Sequence, residues 1–373
     1  MNKIISQCIK ELTQFRRDRL ALALAFFLPV MSLFLYGFTT RLEAINIPLY
    51  VQDFDMTSTS RSYIERLFAT NQFIPISTTN LPKSILNNPQ SVIDRGVAKV
   101  SVVIPSNFSY QIKSNLKTNT QVIIDGSDVN NARVIKNTIQ VITSNFLQVS
   151  KLQTIDNKIF TRVRLWFNPG REESLFIVPG TYGLILSIFP ALLSAMAMVR
   201  EKVEGTILQV YSSTLSATEI LLGKLWAYLL IGIVQAFLIM LFGGLIFRLS
   251  FASNPALLII STVIFLADSI SFGLLVGISA ADQTSAIQGV SLVGFLTALL
   301  LSGLIYPLSN IPFPLSLVSN IVPARYYIEI SRDVYVRGTG WAGVWLDVLI
   351  LILIGLLLFN SARINLKRKA ISF

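Results

Sequence analysis

The chain has 373 residues, of which 53% are hydrophobic and 14% charged, and its mean hydropathy is +0.62. Because soluble domains carry about 25% charged residues, this composition excludes an ordinary soluble protein and indicates an integral membrane protein. The sequence has no histidine and one cysteine, Cys8, which excludes histidine-based metal sites, Ser-His-Asp triads and an internal disulfide.

Six apolar runs are long enough to cross a bilayer, which takes about 20 mostly apolar residues per helix. They occupy residues 20–38, 175–199, 220–247, 256–280, 286–306 and 344–360. Lysines and arginines concentrate before the first run, around the loop between the second and third, and after the last. Six crossings place these three basic sites on one side, so the positive-inside rule predicts that both termini are cytoplasmic. Anionic lipid headgroups then account for the net charge of +11 better than nucleic acid does.

Between the first two runs, residues 41–174 alternate short apolar stretches with helix-like polar ones. Strands are predicted at 47–51, 73–76, 97–104 and 121–124, and helices at 57–69, 81–96, 106–116 and 128–149. The alternation predicts an α/β unit, with helix N-caps at 57–60, Ser106 and Asp128. Because this block follows the first outward crossing, it is predicted to be extracytoplasmic. The predicted domains are 1–40, with an interfacial helix and the first span, then 41–174, and a five-helix part, 175–373.

A charged, glycine-containing loop at residues 200–219 separates the second and third runs. Thr206 with Gln209, and Ser216 with Glu219, match the capping box that starts a helix. The loop is therefore predicted to hold a short helix near 207–212 before the third span begins. Amphipathicity alone leaves two roles open: this helix lies flat on the bilayer, or it docks in the groove of a partner.

Several prolines interrupt residues 302–340, after the fifth run. Since proline breaks a continuous helix, the segment is predicted to form broken, partly re-entrant half-helices. An ordinary proline-rich external loop is the alternative.

Asp268 lies in the middle of the fourth apolar run, where a carboxylate is costly and suggests function. Two roles stay open for it: ion or proton coupling, and a hydrogen bond at a helix interface. The candidate hydroxyl partners are Ser261, Ser269 and Ser271.

Several segments resemble the ABC type-2 transporter permeases. The run Arg-Glu-Lys-Val-Glu-Gly-Thr at 200–206, with Gly-Lys at 223–224, resembles their cytoplasmic loop. Leu-Ser-Gly-Leu-Ile-Tyr-Pro at 301–307, followed by Ile-Pro at 311–312, resembles their Leu-Ser-Gly signature, and residues 103–108 and 125–132 resemble stretches of the external domain of one subgroup. The resemblance covers nearly the whole chain. It implies an α-helical polytopic protein of the bacterial plasma (inner) membrane, with six transmembrane helices and an inserted α/β extracytoplasmic domain.

By this resemblance, the chain is the permease subunit of an ATP-driven exporter whose ATPase is a separate subunit. The sequence has no Gly-x-x-x-x-Gly-Lys-Ser/Thr phosphate loop. The chain is therefore expected to be non-enzymatic and to hold no cofactor, with ATP and Mg²⁺ on the partner. The expected partners are an ATP-binding-cassette ATPase subunit, a second permease copy or a paralogue, and membrane lipids. Contacts with the ATPase are expected from Arg200, Glu201, Glu204, Gly205, Thr206, Ile207 and Leu208.

The family also implies that the second and fifth spans of two protomers form the walls of a central conduit. Candidate pathway and gate residues are Phe189, Met196, Phe295, Leu299, Gly303, Pro307 and Pro312, with the outer gate at 302–340. The two spans are nearly free of charge, which suits an apolar or amphipathic substrate better than a hydrophilic ion. The alternatives are a membrane-anchored scaffold or receptor, and a secondary transporter, which would need internal repeats and more intramembrane charge.

Overall fold

The computed structural model of the chain describes residues 2–39, 46–70, 72–76, 82, 88–114, 116, 118–126, 129–149, 174–205, 215–306, 308 and 311–371. It divides into two compact units, one formed by Met1–Thr40 with Arg164–Phe373 and the other by Arg41–Val163. Each unit has a hydrophobic core of its own.

The chain begins with the amphipathic helix α1 (Asn2–Arg17), followed by the first span, α2 (Arg19–Phe38). In α1 the apolar side chains of Ile5 and Ile9 are 49% and 58% exposed, whereas Glu11 is 1% exposed. Apolar residues outside and a charged residue inside are opposite to the usual pattern of a soluble protein. A helix that places its apolar face in a membrane interface shows this arrangement.

In the second unit, helices accompany a four-stranded sheet. Its elements in chain order are β1 (Ile47–Asp53), α3 (Ser58–Phe68), β2 (Phe73–Pro75), α4 (Pro89–Asp94), β3 (Val100–Ile104), α5 (Phe108–Lys113), β4 (Gln121–Ile124) and α6 (Val129–Val149). The strand order is β2-β1-β3-β4, with β1 parallel to β2 and β3, and β4 antiparallel to β3. The prediction of an inserted α/β unit is confirmed.

Of the helix caps predicted for this unit, one is present and one is absent. Thr57 caps α3 through a capping box, in which the Ser60 backbone N–H donates to Thr57 Oγ1 at 3.3 Å and the Thr57 N–H donates to Ser60 Oγ at 3.1 Å. The prediction of Ser106 as a cap is wrong, because α5 begins two residues later and its N-cap, Asn107, makes no side-chain cap bond. Asp128 lies outside the described residues.

The membrane unit continues with five more helices long and apolar enough to cross a bilayer. These are α7 (Ser174–Val203), α8 (Ala217–Phe247), α9 (Pro255–Ser279), α10 (Gln283–Leu301) and α13 (Trp341–Ile371), with the short helices α11 (Leu315–Ser319) and α12 (Pro323–Arg332) between the last two. Together with α2 they make six candidate spans among the described residues. The prediction of a six-span polytopic membrane protein is confirmed.

At the centre of this unit lies α7. The most apolar window of α7 is 83% buried, compared with 17% for α10 and for α13. Glycines let α9 approach α7 closely: a Cβ at Gly273 would overlap the carbonyl oxygen of Ala191, and a Cβ at Gly277 would lie 2.6 Å from that of Ala195. The two helices are further joined by Ser194 Oγ, which donates to a carbonyl of α9 at 3.1 Å.

The fifth span ends earlier than the apolar pattern predicts. The sequence remains apolar to residue 306, but α10 stops at Leu301 and is followed by irregular backbone. Gly303 has a φ of +81° there, a left-handed conformation that glycine adopts without steric cost.

Candidate functional site

A cluster of charged side chains joins α1, α7 and α8 at the end of α7. Lys224 Nζ of α8 lies 2.5 Å from Glu11 Oε1 of α1 and 3.2 Å from Glu201 Oε1 of α7. Lys10 Nζ of α1 lies 2.6 Å from the same oxygen of Glu201. The side chains of Lys224, Glu11 and Glu201 are 0%, 1% and 4% exposed, and that of Lys10 is 37% exposed. We call these four residues the ion cluster.

Positive and negative charges alternate through the ion cluster, so no buried charge is left without an opposite one. Neutral groups also bind both carboxylate oxygens of Glu11: Gln7 Nε2 donates to Oε1 at 3.3 Å and the Tyr228 hydroxyl donates to Oε2 at 3.2 Å. Lys224 also donates to a backbone carbonyl of α7 at 3.3 Å. Since buried ions are tolerated only when paired and hydrogen-bonded, the ion cluster fixes the relative positions of the three helices.

Two further contacts hold the end of α7. Arg200 Nη1 lies 3.1 Å from Asp18 Oδ2, and Asp18 is the N-cap of α2. Lys202 Nζ donates to the carbonyls of Gly277 at 2.9 Å, Ala280 at 3.0 Å and Ile278. The last carbonyls of a helix lack intrahelical partners and attract cations. The start of the charged loop is thereby bound to α1, α2, α8 and α9.

The structure therefore places the predicted coupling residues in two different environments. Arg200 is partly buried and Glu201 is buried, each in an ion pair within this chain, whereas Glu204 and Gly205 are exposed. Thr206, Ile207 and Leu208 lie outside the described residues, as does the predicted capping box of Thr206 and Gln209. The role of all seven in contacting an ATPase stays a prediction.

The start of α8 matches its sequence signal. Ser216 is the N-cap, its backbone N–H donates to Glu219 Oε2 at 2.7 Å, and the Glu219 N–H donates to Ser216 Oγ at 3.2 Å. This capping box fixes where the helix begins and so sets the depth of Lys224 in it. Sequence analysis missed Glu11 and Lys10; the signal available was the lysine at 224, which an apolar helix would bury only with an acidic partner.

The predicted pathway residues lie on two helices that contact each other within one chain. Phe189 of α7 packs against a hydrophobic cluster that includes residues of α10, and Met196 is 8% exposed. Phe295 and Leu299 of α10 are partly buried against the main core. The other face of α10 is apolar and exposed, with Leu292 at 66%, Val293 at 55% and Leu296 at 46%. Whether the four predicted residues line a pathway stays a prediction.

Beyond α10, Arg332 binds the segment at Gly303 to the start of α7. Its Nη1 donates to Gly303 O at 2.9 Å, Nη2 to Leu304 O at 3.4 Å, and Nε to Phe176 O at 3.3 Å. The guanidinium also lies 3.7 Å from the centroid of the Phe176 ring. The Arg332 side chain thus replaces hydrogen bonds that the irregular backbone after α10 cannot make with itself.

Two prolines predicted for the gate have separate outcomes. Pro312 is exposed, and Pro307 lies outside the described residues. After them the chain folds as α11 and α12, with a π-helical turn at Asp333–Arg337, before α13 begins. The gate function of this segment stays a prediction.

Asp268 is 1% exposed in α9 and faces α13, where a Cβ on Gly355 would overlap Asp268 Oδ1. The structure does not pair it with Ser261 or Ser269, because these hydroxyls donate to backbone carbonyls one turn earlier, at 2.8 and 3.0 Å. Among the residues that the structure describes, Asp268 Oδ2 has no hydrogen-bond partner. A buried carboxylate oxygen without a partner needs an explanation, for example a bound water or ion, or a functional role.

Six apolar helices, with most charges at their ends and Asp268 buried within one of them, define a polytopic membrane protein. The family model of ABC-2 family transporter proteins matches residues 20–362, and the chain belongs to this family.

Curated relatives agree with this assignment. The chain is 26% identical over 381 residues to "Probable multidrug ABC transporter permease YbhS" of Escherichia coli (strain K12), covering 98% of this chain and 97% of that protein. It is 27% identical over 361 residues to "Probable multidrug ABC transporter permease YbhR" of the same strain, covering 96% and 97%. It is 24% identical over 374 residues to "ABC transporter G family member 20" of Dictyostelium discoideum, covering 96% of this chain and 50% of that protein.

The protein is therefore the membrane permease subunit of an ABC transporter. Family membership favours this interpretation over a scaffold, a receptor or a secondary transporter.

Proposed function

We propose that this permease belongs to an ATP-driven exporter that moves an apolar or amphipathic compound out of the cytoplasm or inner leaflet. The observation that carries the proposal is the ion cluster: it joins the helix that leads into the charged loop to α1 and α8 without exposing the buried charges. A force applied to the loop would move these helices together. The ion cluster would thereby transmit force from a soluble partner to the membrane helices.

In this proposal the ATPase subunit binds ATP and Mg²⁺, and the permease holds neither. The exposed residues after the ion cluster, Glu204 and Gly205, begin the contact with the ATPase, and Thr206, Ile207 and Leu208 continue it. Glu201 acts as a positioning residue, because its carboxylate is occupied by Lys10 and Lys224. The basic residues at both ends of the chain support cytoplasmic termini in a bacterial inner membrane and contacts with anionic lipids.

The exposed apolar face of α10 supports pairing with a second permease copy or a paralogue. This face is formed by the large, exposed apolar side chains of Leu292, Val293 and Leu296. An apolar wall of this composition favours an organic substrate over a hydrophilic ion, and two curated relatives are named as multidrug permeases. Release would take place past Gly303 and Pro312, where the helix is interrupted.

Reconstitution of the permease with its ATPase in proteoliposomes tests the proposal. ATP hydrolysis should be stimulated by hydrophobic organic compounds, and these compounds should move from the side of the ATPase to the opposite side. Stimulation by a hydrophilic polymer or an inorganic ion alone would contradict the substrate class. Movement toward the ATPase side would contradict export.

A further inference from the structure

A cavity of about 250 Å³ lies beside Asp268, between α9, α10 and the start of α12. Its wall is almost entirely apolar, with Phe265 and Phe272 from α9, Ala298 from α10 and Val322 ahead of α12. Among the described residues that line the cavity, Asp268 is the one ionisable side chain. An apolar space thus lies directly against a single buried acidic group.

Within the described part of the chain, no side chain of opposite charge pairs with Asp268. None of the ion pairs formed within the described ranges includes Asp268, and its Oδ2 is buried without a hydrogen bond. Two hydroxyls that line the cavity donate elsewhere: Ser187 to a backbone carbonyl at 2.8 Å and Ser269 to another at 3.0 Å. An ionised carboxylate in apolar surroundings is costly until a cation compensates it. A positively charged ligand would provide that compensation.

The partly exposed ring of Phe272 in the wall favours an organic cation. Phe265 is buried behind the wall and stacks on Tyr327 with ring centroids 4.4 Å apart, so it gives the wall a fixed apolar backing. The Phe272 ring lies against Gly294, where a Cβ would come within 3.0 Å of it. Aromatic faces attract ammonium groups, and the apolar wall stabilises an apolar body. A metal ion would need about six oxygen ligands, which a wall with one carboxylate does not supply.

Access to the cavity comes from the apolar surface of the chain. Val318 of α11 and Ile321 ahead of α12 line the cavity away from the pairing face of α10, and they are 39% and 69% exposed. An amphipathic cation can therefore reach Asp268 without passing a charged surface residue, because the rim is made of apolar side chains.

We propose that this cavity binds a monovalent organic cation with an apolar body, a quaternary or protonated amine, with Asp268 as its counter-ion. The proposal rests on the proposed export function, because it narrows the substrate class of that exporter to cationic amphipaths. Binding itself needs the permease alone, so the site is tested separately from transport.

Saturation-transfer NMR on the purified full-length permease in detergent measures the affinity of two small probes. Benzyltrimethylammonium carries the positive charge, and phenylmethanesulfonate is similar in shape with the charge reversed. The wild type should bind the cation at least about tenfold more tightly than the anion, since a buried charge pair discriminates strongly. Asp268→Asn keeps nearly the same volume and should weaken cation binding at least about tenfold.

Matched variants separate charge from general disturbance. Asp347→Asn makes the same change on α13, away from the cavity, and should leave cation binding unchanged. Gly355→Ala keeps the charge but displaces the Asp268 carboxylate and should weaken cation binding. Gly244→Ala, at a glycine with open space, should have no effect.

Equal affinity of the wild type for both probes, or unchanged cation affinity in Asp268→Asn, would overturn the proposal. Transport is measured in parallel in proteoliposomes with the ATPase. Export of neutral apolar compounds by a permease that shows no preference for the cation would support the export function and contradict the cation site. Cation binding without ATP-driven movement of any apolar compound would support the cation site and contradict the export function.

Discussion

Lys224 Nζ lies 2.5 Å from Glu11 Oε1, although 213 positions separate the two residues in the chain. Both side chains are at most 1% exposed, so the pair joins α8 to α1 away from water. Removing one member of a buried pair leaves the other charge uncompensated, whereas an exposed pair contributes little to stability. The two kinds of pair therefore respond differently to the same type of substitution, and this chain contains both.

Lys224→Met should lower the free energy of unfolding by about 3–5 kcal/mol, because it leaves Glu11 buried without its cation. Titration with SDS in mixed micelles measures this change. Arg337→Met is the control: it breaks a 2.9 Å pair with Glu329 whose side chains are 47% and 28% exposed. The control should change the free energy of unfolding by about 0–1 kcal/mol. Equal losses in the two variants would show that burial does not govern these pairs.

Charge reversal at neighbouring glutamates should separate positioning from docking. Glu204→Lys, at an exposed residue, should abolish transport-stimulated ATP hydrolysis while the permease stays folded. Glu201→Lys would place a third cation beside Lys10 and Lys224. Its main effect should therefore be a loss of folded permease, in contrast to Glu204→Lys. Size-exclusion profiles and ATPase assays of the reconstituted complex measure both. Normal transport-stimulated ATP hydrolysis in Glu204→Lys would contradict the assignment of Glu204 to the ATPase contact.

Local patterns in the sequence were sufficient for the six spans, for the α/β unit and for two helix starts, those of α3 and α8. Apolar runs predict the six spans, and strand-helix alternation predicts the α/β unit, because burial imposes both periodicities on the chain. The capping box of Ser216 and Glu219 was predictable since its two members lie three residues apart. By contrast, no local pattern pairs Glu11 with Lys224, and the partner of a buried charge is chosen by tertiary packing.

The end of α10 shows a second limit of sequence patterns. Ile305 and Tyr306 extend the apolar run, and hydropathy alone therefore extends the helix. The helix stops at residue 301 because Gly303 takes a left-handed conformation and Arg332 binds its carbonyl oxygen. The arginine that stabilises this break lies 29 positions later, so a window over the span does not contain it.

Cysteine labelling should place the second unit outside and α1 inside. A cysteine introduced at the exposed Asn119 should react with an impermeant thiol reagent in cells stripped of any outer barrier. Cys8 should stay unlabelled. However, burial, and to a smaller extent the charge of Glu11, raises the pKa of the Cys8 thiol and slows its reaction, so a second cysteine position is needed. Lys3→Cys in a Cys8→Ser background is the control, because Lys3 is polar and exposed, so it does not belong to the apolar face of α1 that Ile5 and Ile9 form. It should react only after permeabilisation; labelling in intact cells would overturn the topology.

Replacing Gly303 by leucine should impair the permease more than the same change at Gly340. Both glycines have positive φ, +81° and +67°, so both variants should lose about 1–3 kcal/mol of stability from backbone strain. A Cβ at Gly303 would in addition lie 3.1 Å from Leu308 Cγ, whereas Gly340 has open space. The substitution at Gly303 also disturbs the carbonyl that Arg332 binds at 2.9 Å.

SDS unfolding measures the loss of stability in these two variants. Stimulation of ATP hydrolysis by hydrophobic compounds, in the reconstituted complex, tests the role of Gly303 in the gate. Gly303→Leu should lose the stimulation of ATP hydrolysis by hydrophobic compounds, because the segment that leads out of α10 can no longer keep its backbone conformation. Gly340→Leu should retain most of the stimulation, because residue 340 lies just before α13 and a Cβ there has open space. Full stimulation in both variants would contradict a role of Gly303 in the gate. Loss of stimulation in both variants would show that backbone strain alone causes the effect.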